Sequence, residues 1–260
     1  TYTTGFVPDI AWTKSRTNSL YDWFAGARLT GQAYMPNNES SGEQYGGSWP
    51  WDNPTNTFHT SEIADSPVTF TFARAPGFFD AVMYSGSGST QNIPHNLTVS
   101  PNFLVVKRRN SGGGWNAFAS DLGTSKYLPA DSGNHGALNA GTTWGNTAPT
   151  SSVFTVGGSS SAINKSGNYY LAYLFATLSG VSKIGTYSGT GSNVGVDCGF
   201  TAGARFVLIK RTDSSGDWYV FDSTRGIVGG DDPFVLLNSK AVEDTDDDFI
   251  DPLNSGFTVT

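Results

Sequence analysis

The acidic residues of this chain are the first candidates for chemistry. Hydrolysis of a glycosidic bond needs two carboxylates about 5 to 10 Å apart across the sugar. Glu39 and Glu43 fall in a loop rich in Ser, Asn and Gly, and neither belongs to an alternating acidic strand. We interpret them as solvated surface residues and predict that the chain has no catalytic residue and is not an enzyme.

Metal ligands are the second possibility. The three histidines lie far apart in sequence, each without a second ligand type nearby, so zinc spacing is missing. In the acidic run 243–248, alternate aspartates match a calcium loop, but Phe249 stands where that loop has its glycine and Ser255 where it has its glutamate. We therefore predict no metal and no cofactor. Residues 243–251 are interpreted as a solvated loop, with calcium binding there left open.

The composition indicates which scaffold carries these residues. The chain has 32 Gly, 12 Pro and 13% aromatic residues, but only 14% charged residues against a typical share of about 25%. Ser, Thr, Asn and Gly separate short aromatic and β-branched runs, which is the pattern of strands joined by tight turns. The predicted fold class is all-β.

Charge and apolar patterning exclude several partners. A formal net charge of −7 argues against nucleic acid, because phosphate binding depends on clustered Lys and Arg. The dense basic run Lys107-Arg108-Arg109 directly follows an apolar strand, so we interpret it as a solvated strand end. No apolar run approaches the about 18 residues of a membrane span, and membrane insertion is not expected. The lone Cys198 excludes an intrachain disulfide framework.

Internal repetition is the strongest signal in the sequence. The run 84–89 (YSGSGS) recurs at 187–192 (YSGTGS), a spacing of 103 residues. The same spacing relates two sets of three residues: Phe103, Lys107 and Trp115 in one copy, and Phe206, Lys210 and Trp218 in the next. It also places His95 opposite Cys198, so we interpret the cysteine as a packing residue. A partial earlier copy is visible where residues 8–14 follow the pattern of 101–107.

We therefore predict tandem β-sandwich or jelly-roll-like repeats of about 100 residues, strung end to end. Segment one, 1–78, is a partial copy with a divergent Gly- and Trp-rich loop; segment two, 79–180, is complete; segment three, 181–260, lacks its closing strand. The strands predicted in segment two are 103–106, 115–118, 153–156 and 169–175. The loops 110–114 and 213–217 are expected to be hairpin loops whose glycines supply positive φ.

The order of these motifs resembles tandem domains of unknown function in tail-fibre and virion proteins of marine and cyanobacterial phages. The motifs are Tyr-Ser-Gly-x-Gly from Tyr84 and Tyr187, Phe-x-x-x-Lys-Arg from Phe103 and Phe206, hairpins ending in Trp115 and Trp218, and a closing Ser-Gly-x-x-Tyr-x-Ala-Tyr-x-Phe from Ser166. The resemblance covers most of the chain and is weakest over 31–65. It implies a structural role on the virion surface, with a homo-oligomer, a trimer among the options, or other virion proteins as partners.

The run 45–51 (YGGSWPW) departs from the repeat. Tyr45, Trp49 and Trp51 are predicted as receptor or glycan contacts, because rigid aromatic faces in a Gly-rich loop suit such binding. The alternative is burial against the chain's own sandwich or against a neighbouring subunit.

The predicted function is a virion structural or adhesive protein, a tail-fibre segment that contacts a host-surface glycan or receptor. A bacterial surface adhesin, or a carbohydrate-active enzyme on a β-sandwich, are the alternatives. Segment three is expected to leave a strand edge open where 169–175 closes segment two. Either a continuation of the chain or a strand from a neighbouring subunit would complete it.

Overall fold

The computed structural model describes residues 2–46, 48–53, 57–58, 66–158, 160 and 162–260, and it confirms the all-β prediction. The strands of segment one are β1 (Tyr2–Thr3), β2 (Ile10–Ser15), β3 (Phe24–Ala27), β4 (Ala33–Met35), β5 (Gln44–Tyr45), β6 (Thr57–Phe58) and β7 (Pro67–Phe72). Those of segment two are β8 (Phe79–Ser85), β9 (Gln91–Pro94), β10 (Phe103–Arg108), β11 (Trp115–Ala119), β12 (Lys126–Pro129), β13 (Leu138–Asn139), β14 (Val153–Val156) and β15 (Tyr169–Phe175). Those of segment three are β16 (Val194–Asp197), β17 (Phe206–Lys210), β18 (Trp218–Asp222), β19 (Phe234–Leu236), β20 (Ile250–Leu253) and β21 (Gly256–Val259).

Helical structure is minor in the part of the chain that the structure describes. It consists of 3-10 turns at Arg28–Thr30 and Ser120–Leu122. No helix in this part is long and apolar enough to cross a membrane.

One large antiparallel sheet lies in each segment. Sheet one has the order β5-β4-β3-β2-β7, sheet two the order β13-β12-β11-β10-β15-β8, and sheet three the order β17-β18-β19. Lys107 pairs with Trp115 across β10 and β11, and Lys210 pairs with Trp218 across β17 and β18. The predicted equivalence of the two tryptophans is therefore confirmed.

The predicted strands of segment two correspond to β10, β11, β14 and β15, with ends that differ by at most two residues. The two predicted hairpin loops join β10 to β11 and β17 to β18, but the role expected for their glycines is wrong. None of the glycines at 112–114 and 216 has a positive φ. They permit close approach instead: a methyl group on Gly114 would lie 3.2 Å from the Asp131 carboxylate, and one on Gly216 would lie 3.2 Å from Cβ of Arg211.

The three large sheets pack their inner faces into one shared core. Alternate residues of each strand point to this core, as strand geometry requires. Its buried members come from all three segments and include Ile10, Trp12, Trp23, Val105, Trp115, Tyr173, Trp218 and Val220. The expected end-to-end arrangement is therefore wrong, because the segments surround a common centre.

Three buried tryptophans link the sheets in a ring. Their indole N–H groups each donate a 2.8 Å hydrogen bond to a backbone carbonyl of another segment: Trp23 to Leu236, Trp115 to Pro36 and Trp218 to Pro129. A buried indole N–H without an acceptor would cost free energy, so each sheet depends on a neighbour for this bond.

The outer faces of sheets two and three are covered by further sheets of two and three strands. Strands β9 and β14 pair with each other over sheet two, and β16, β21 and β20 form the layer over sheet three. Each layer encloses its own apolar cluster, one containing Phe118 and Phe154 and the other Phe221 and Phe257. Segments two and three therefore each have two layers of strands.

The ring of tryptophan bonds predicts similar costs for three substitutions. We expect Trp23→Phe, Trp115→Phe and Trp218→Phe each to lower the free energy of unfolding by about 1–3 kcal/mol, because each removes a hydrogen bond that joins two segments. Urea unfolding measures this, and the shared core predicts one cooperative transition.

Trp144→Phe is the control, because the indole of Trp144 donates to the Lys126 carbonyl at 3.0 Å within segment two. Its loss of stability shows what a tryptophan hydrogen bond contributes when it does not join two segments. Two separated unfolding transitions in the wild type, or a negligible cost at one of the three ring positions, would contradict the shared core.

Candidate functional site

Trp49 and Trp51, two of the predicted contact residues, lie in the interior. Their exposed fractions are 2% and 5%, and their rings stack with centroids 5.5 Å apart. The indole of Trp51 donates to the Gly31 carbonyl at 2.6 Å, and the Gln32 side chain holds the backbone N–H and C=O of Trp49. In this position they match the alternative that we considered, which is burial against the chain's own sheet.

The two indoles cover the outer face of sheet one, where segment one has small residues. Ala11 pairs with Gly26 there, whereas the corresponding pairs are Leu104 with Phe118 in sheet two and Val207 with Phe221 in sheet three. A methyl group on Gly26 would lie 2.7 Å from the Trp49 ring. The small pair therefore makes the space that the two indoles fill.

Tyr45, the third predicted residue, is exposed and borders a groove between segments one and two. Its exposed fraction is 82%, and that of Tyr169, which lines the same groove, is 54%. The groove has a volume of about 580 Å³, and its lining includes the polar side chains of Gln44, Asn110 and Ser111. Tyr169 was not predicted, because only the fold brings β15 beside the loop that carries Tyr45. We call this feature the tyrosine groove.

An ion pair forms the floor of the tyrosine groove. Arg109 donates to both carboxylate oxygens of Glu43, at 2.8 and 3.0 Å from one nitrogen, and the backbone N–H of Glu43 donates to the Arg109 carbonyl at 2.6 Å. The Asn110 side chain accepts from the backbone N–H of Tyr169 at 3.0 Å. Glu43 is therefore buried and paired, so its interpretation as a solvated carboxylate was wrong.

The seams between the other segments repeat this geometry only in part. Glu243 of segment three donates its backbone N–H to Arg16 of segment one at 2.8 Å, and the two side chains form an ion pair. Between segments two and three, Ala137 donates to the Thr212 carbonyl at 2.7 Å, with no charged pair at these positions. The two-tyrosine arrangement is thus a feature of the seam between segments one and two.

Three lysines at equivalent strand positions are also part of these seams. Lys14 and Lys107 are buried, and each bonds one carbonyl near its own segment's tryptophan and one in another segment. Lys210 donates to the Gly216 carbonyl. Burial lowers the pKa of Lys14 and of Lys107 to about 8, because desolvation penalises the charged ammonium. The interpretation of the basic run as a solvated strand end was therefore wrong at Lys107.

The remaining chemical candidates are dispersed. No three His, Cys, Asp or Glu side chains come together as metal ligands among the described residues. Asp244 and Asp246–Asp248 lie in the outer part of segment three, and the buried Asp232 accepts from the backbone N–H groups of Val228 and Ile250. Burial raises the pKa of the Cys198 thiol, which disfavours the reactive thiolate.

The molecule is an all-β domain in which three antiparallel sheets share one core and an exposed aromatic groove lies at a seam between two of them. It belongs to the family described as "Domain of unknown function (DUF7483)", which matches residues 25–260. No curated protein and no solved structure matches the chain. The match includes all of sheets two and three, and sheet one without β2 and the first residue of β3.

The buried lysines predict a rise of stability with pH. Their pKa is lower in the folded chain than in the unfolded one, so above about pH 8 the unfolded chain binds more protons and the free energy of unfolding increases. The slope should not exceed about 1.4 kcal/mol per pH unit for each lysine. Urea unfolding between pH 7.5 and 9, on a Cys198→Ser background, measures this, because the buried thiol would otherwise oppose the slope and most tyrosines are still protonated at pH 9.

Lys107→Met should reduce the slope, whereas Lys126→Met, at a surface lysine bonded to Asn139, should retain it. A flat profile in the wild type, or an unchanged slope in Lys107→Met, would show that folding does not lower the pKa of Lys107.

Proposed function

We propose that this chain is a structural and adhesive module of a phage tail fibre or a related virion protein. In this proposal the three-sheet core supplies rigidity, and the tyrosine groove contacts a glycan or receptor on the host surface. The proposal rests mainly on two exposed rings, those of Tyr45 and Tyr169, which border a groove lined by amide and hydroxyl groups. The resemblance of the sequence motifs to virion proteins supports the same proposal.

The size and chemistry of the tyrosine groove support a glycan as its ligand. Its volume of about 580 Å³ lies within the range of about 300–1,000 Å³ that small-molecule sites occupy. Tyrosine offers a flat apolar face and a polar hydroxyl, which suits a sugar ring that is apolar on its faces and polar at its edge. Gln44 adds a side chain of the kind that fixes the orientation of a polar ligand, while Asn110 holds the backbone of Tyr169 in place.

The rigidity of the floor also supports a binding role. The Arg109–Glu43 pair is bidentate and mostly buried, with side-chain exposures of 20% and 8%. A charged pair of this geometry holds its loops in one conformation. Binding then costs little ordering of the protein, and this preserves affinity for a small ligand.

We further propose that segments 1–78, 79–180 and 181–260 are tandem copies of one sandwich or jelly-roll-like unit. The equivalent meanders β2-β3-β4, β10-β11-β12 and β17-β18-β19 support it, as do the outer layers of segments two and three. The module would lie at the virion surface, where it would associate with further copies of itself or with other virion proteins.

Removal of the exposed rings tests the adhesive role. We expect Tyr45→Ala and Tyr169→Ala each to weaken binding to the glycan identified on a host-glycan array by about tenfold or more, because exposed aromatic anchors carry a large share of binding energy. Titration calorimetry with that glycan measures the change. Leu20→Ala, at an equally exposed apolar residue outside the groove, should bind like the wild type. Wild-type affinity in both tyrosine variants would exclude the groove as the contact site.

The proposal also predicts that bound polysaccharide is not hydrolysed. Glu43 is engaged with Arg109, and the Glu39 carboxylate pairs with Lys240 at 3.2 Å. A carboxylate held by a neighbouring cation is not positioned to transfer a proton to or from a glycosidic bond. Assay of reducing ends over a glycan panel tests this. Release that is abolished by Glu39→Gln or Glu43→Gln would favour the carbohydrate-active enzyme.

A further inference from the structure

Glu43 and Arg109 are the charged side chains that line the tyrosine groove in the part of the chain that the structure describes. Oε1 of Glu43 accepts from Nε of Arg109 at 3.1 Å and from Nη2 at 2.8 Å, and Oε2 accepts from Nη2 at 3.0 Å. Both side chains are mostly buried. The two charges therefore cancel within the groove, and each carboxylate oxygen already has a donor.

The third nitrogen of the Arg109 guanidinium also has a partner within the chain. Its Nη1 lies 3.1 Å from Sδ of Met83, a residue that is 40% exposed. A thioether is a weak acceptor, but this contact still directs the nitrogen toward the chain's own side chain. All three guanidinium nitrogens of Arg109 are thus engaged before any ligand arrives.

Arg108, the neighbouring cation in the sequence, is held outside the groove lining. Its Nη1 donates to the Gly112 carbonyl at 2.9 Å and to Oγ of Ser111 at 3.4 Å. Its guanidinium carbon also lies 6.0 Å from the ring centre of Tyr170, which is a cation–π distance. Arg108 is therefore occupied by its own neighbours, as Arg109 is.

A groove with this charge balance favours an uncharged ligand. A ligand carboxylate would lose part of its water shell close to the Glu43 carboxylate, and the arginine that could balance it is already paired. The net charge of −7 adds repulsion at longer range. The hydroxyl groups of a neutral sugar carry no such cost, and they can bond to the side chains of Gln44 and Ser111.

The ion pair is not required to close a seam. Between segments two and three, Ala137 and Thr212 occupy the positions that Glu43 and Arg109 have between segments one and two. The backbone bond is kept there at 2.7 Å, with no charged pair. Both charges can thus be removed at an equivalent seam without loss of the backbone contact.

We propose that Glu43 is a specificity-determining residue of the tyrosine groove. By pairing with Arg109, it restricts the groove to uncharged glycans and excludes sugars that carry a carboxylate, such as uronic and sialic acids. Specificity is a difference of affinities, and occupying the one cation of a site lowers its affinity for anions. This inference rests on the proposed glycan-binding role of the groove.

The test is binding to immobilised oligosaccharides in matched pairs, which end in glucose or glucuronic acid and in galactose or galacturonic acid. The members of a pair differ only at C6, where a hydroxymethyl group is replaced by a carboxylate. We expect the wild type to bind the neutral member about tenfold or more tightly than the acidic one. Glu43→Ala should free Arg109 and raise the affinity for the acidic members about fivefold or more, with a gain that falls as salt is added.

The matched control is the double variant Glu43→Ala/Arg109→Thr, which has the residues of the seam between segments two and three at both positions. It should show no gain for acidic members, because no arginine is left to pair with them. The comparison within the wild type needs no variant, so it remains decisive if Glu43→Ala is unstable.

Three results would overturn the proposal: wild-type binding of the acidic members as tight as that of the neutral ones, no acidic gain in folded Glu43→Ala, or an equal gain in the double variant. A wild type that binds none of the four sugars, together with an acidic gain in Glu43→Ala, would count against the proposed glycan function and not against the role of Glu43. The two proposals can therefore fail separately.

Discussion

Three buried indole N–H groups impose the constraint on which this structure depends. A tryptophan in a core gains a large apolar contact but must still find an acceptor for its one polar hydrogen. In this chain the acceptors of Trp23, Trp115 and Trp218 are carbonyls of other segments, so each of these three indoles is satisfied only across a seam. The inner faces must therefore meet at one centre, and this meeting creates the seams.

The seams are alike in their backbone and different in their side chains. Each has one N–H to carbonyl bond at an equivalent position, made by Glu43, Ala137 or Glu243. Two of the three add an arginine–glutamate pair, and the seam between segments one and two also carries the exposed rings of Tyr45 and Tyr169. Repeated backbone geometry thus positions the seams, while divergent side chains give one of them the character of a binding groove.

The three large sheets differ in what covers their outer faces. Sheets two and three have large outward residues under small β layers, whereas sheet one has Ala11 and Gly26 under two stacked indoles. Close packing explains this difference. Where the outward residues of a sheet are small, the side chains that cover the sheet must be large enough to fill the space. Sheet three differs in its edge: β17 lacks the bordering strand that β2 and β10 have among the described residues.

Local pattern alone determined much of this protein. Strands β10, β11, β14 and β15, and the equivalence of Trp115 with Trp218, followed from β-branched and aromatic runs between turn residues and from the 103-residue spacing. Periodicity cannot tell which buried face meets which, so the shared core, the burial of Trp49 and Trp51, and the burial of Lys107 required the tertiary structure. The tyrosine groove belongs to the same group, since its two rings are more than a hundred residues apart in the chain. Tertiary packing decided these features because side-chain alternation specifies that a face is buried, whereas the partner of that face is chosen by shape, volume and hydrogen bonding between distant segments.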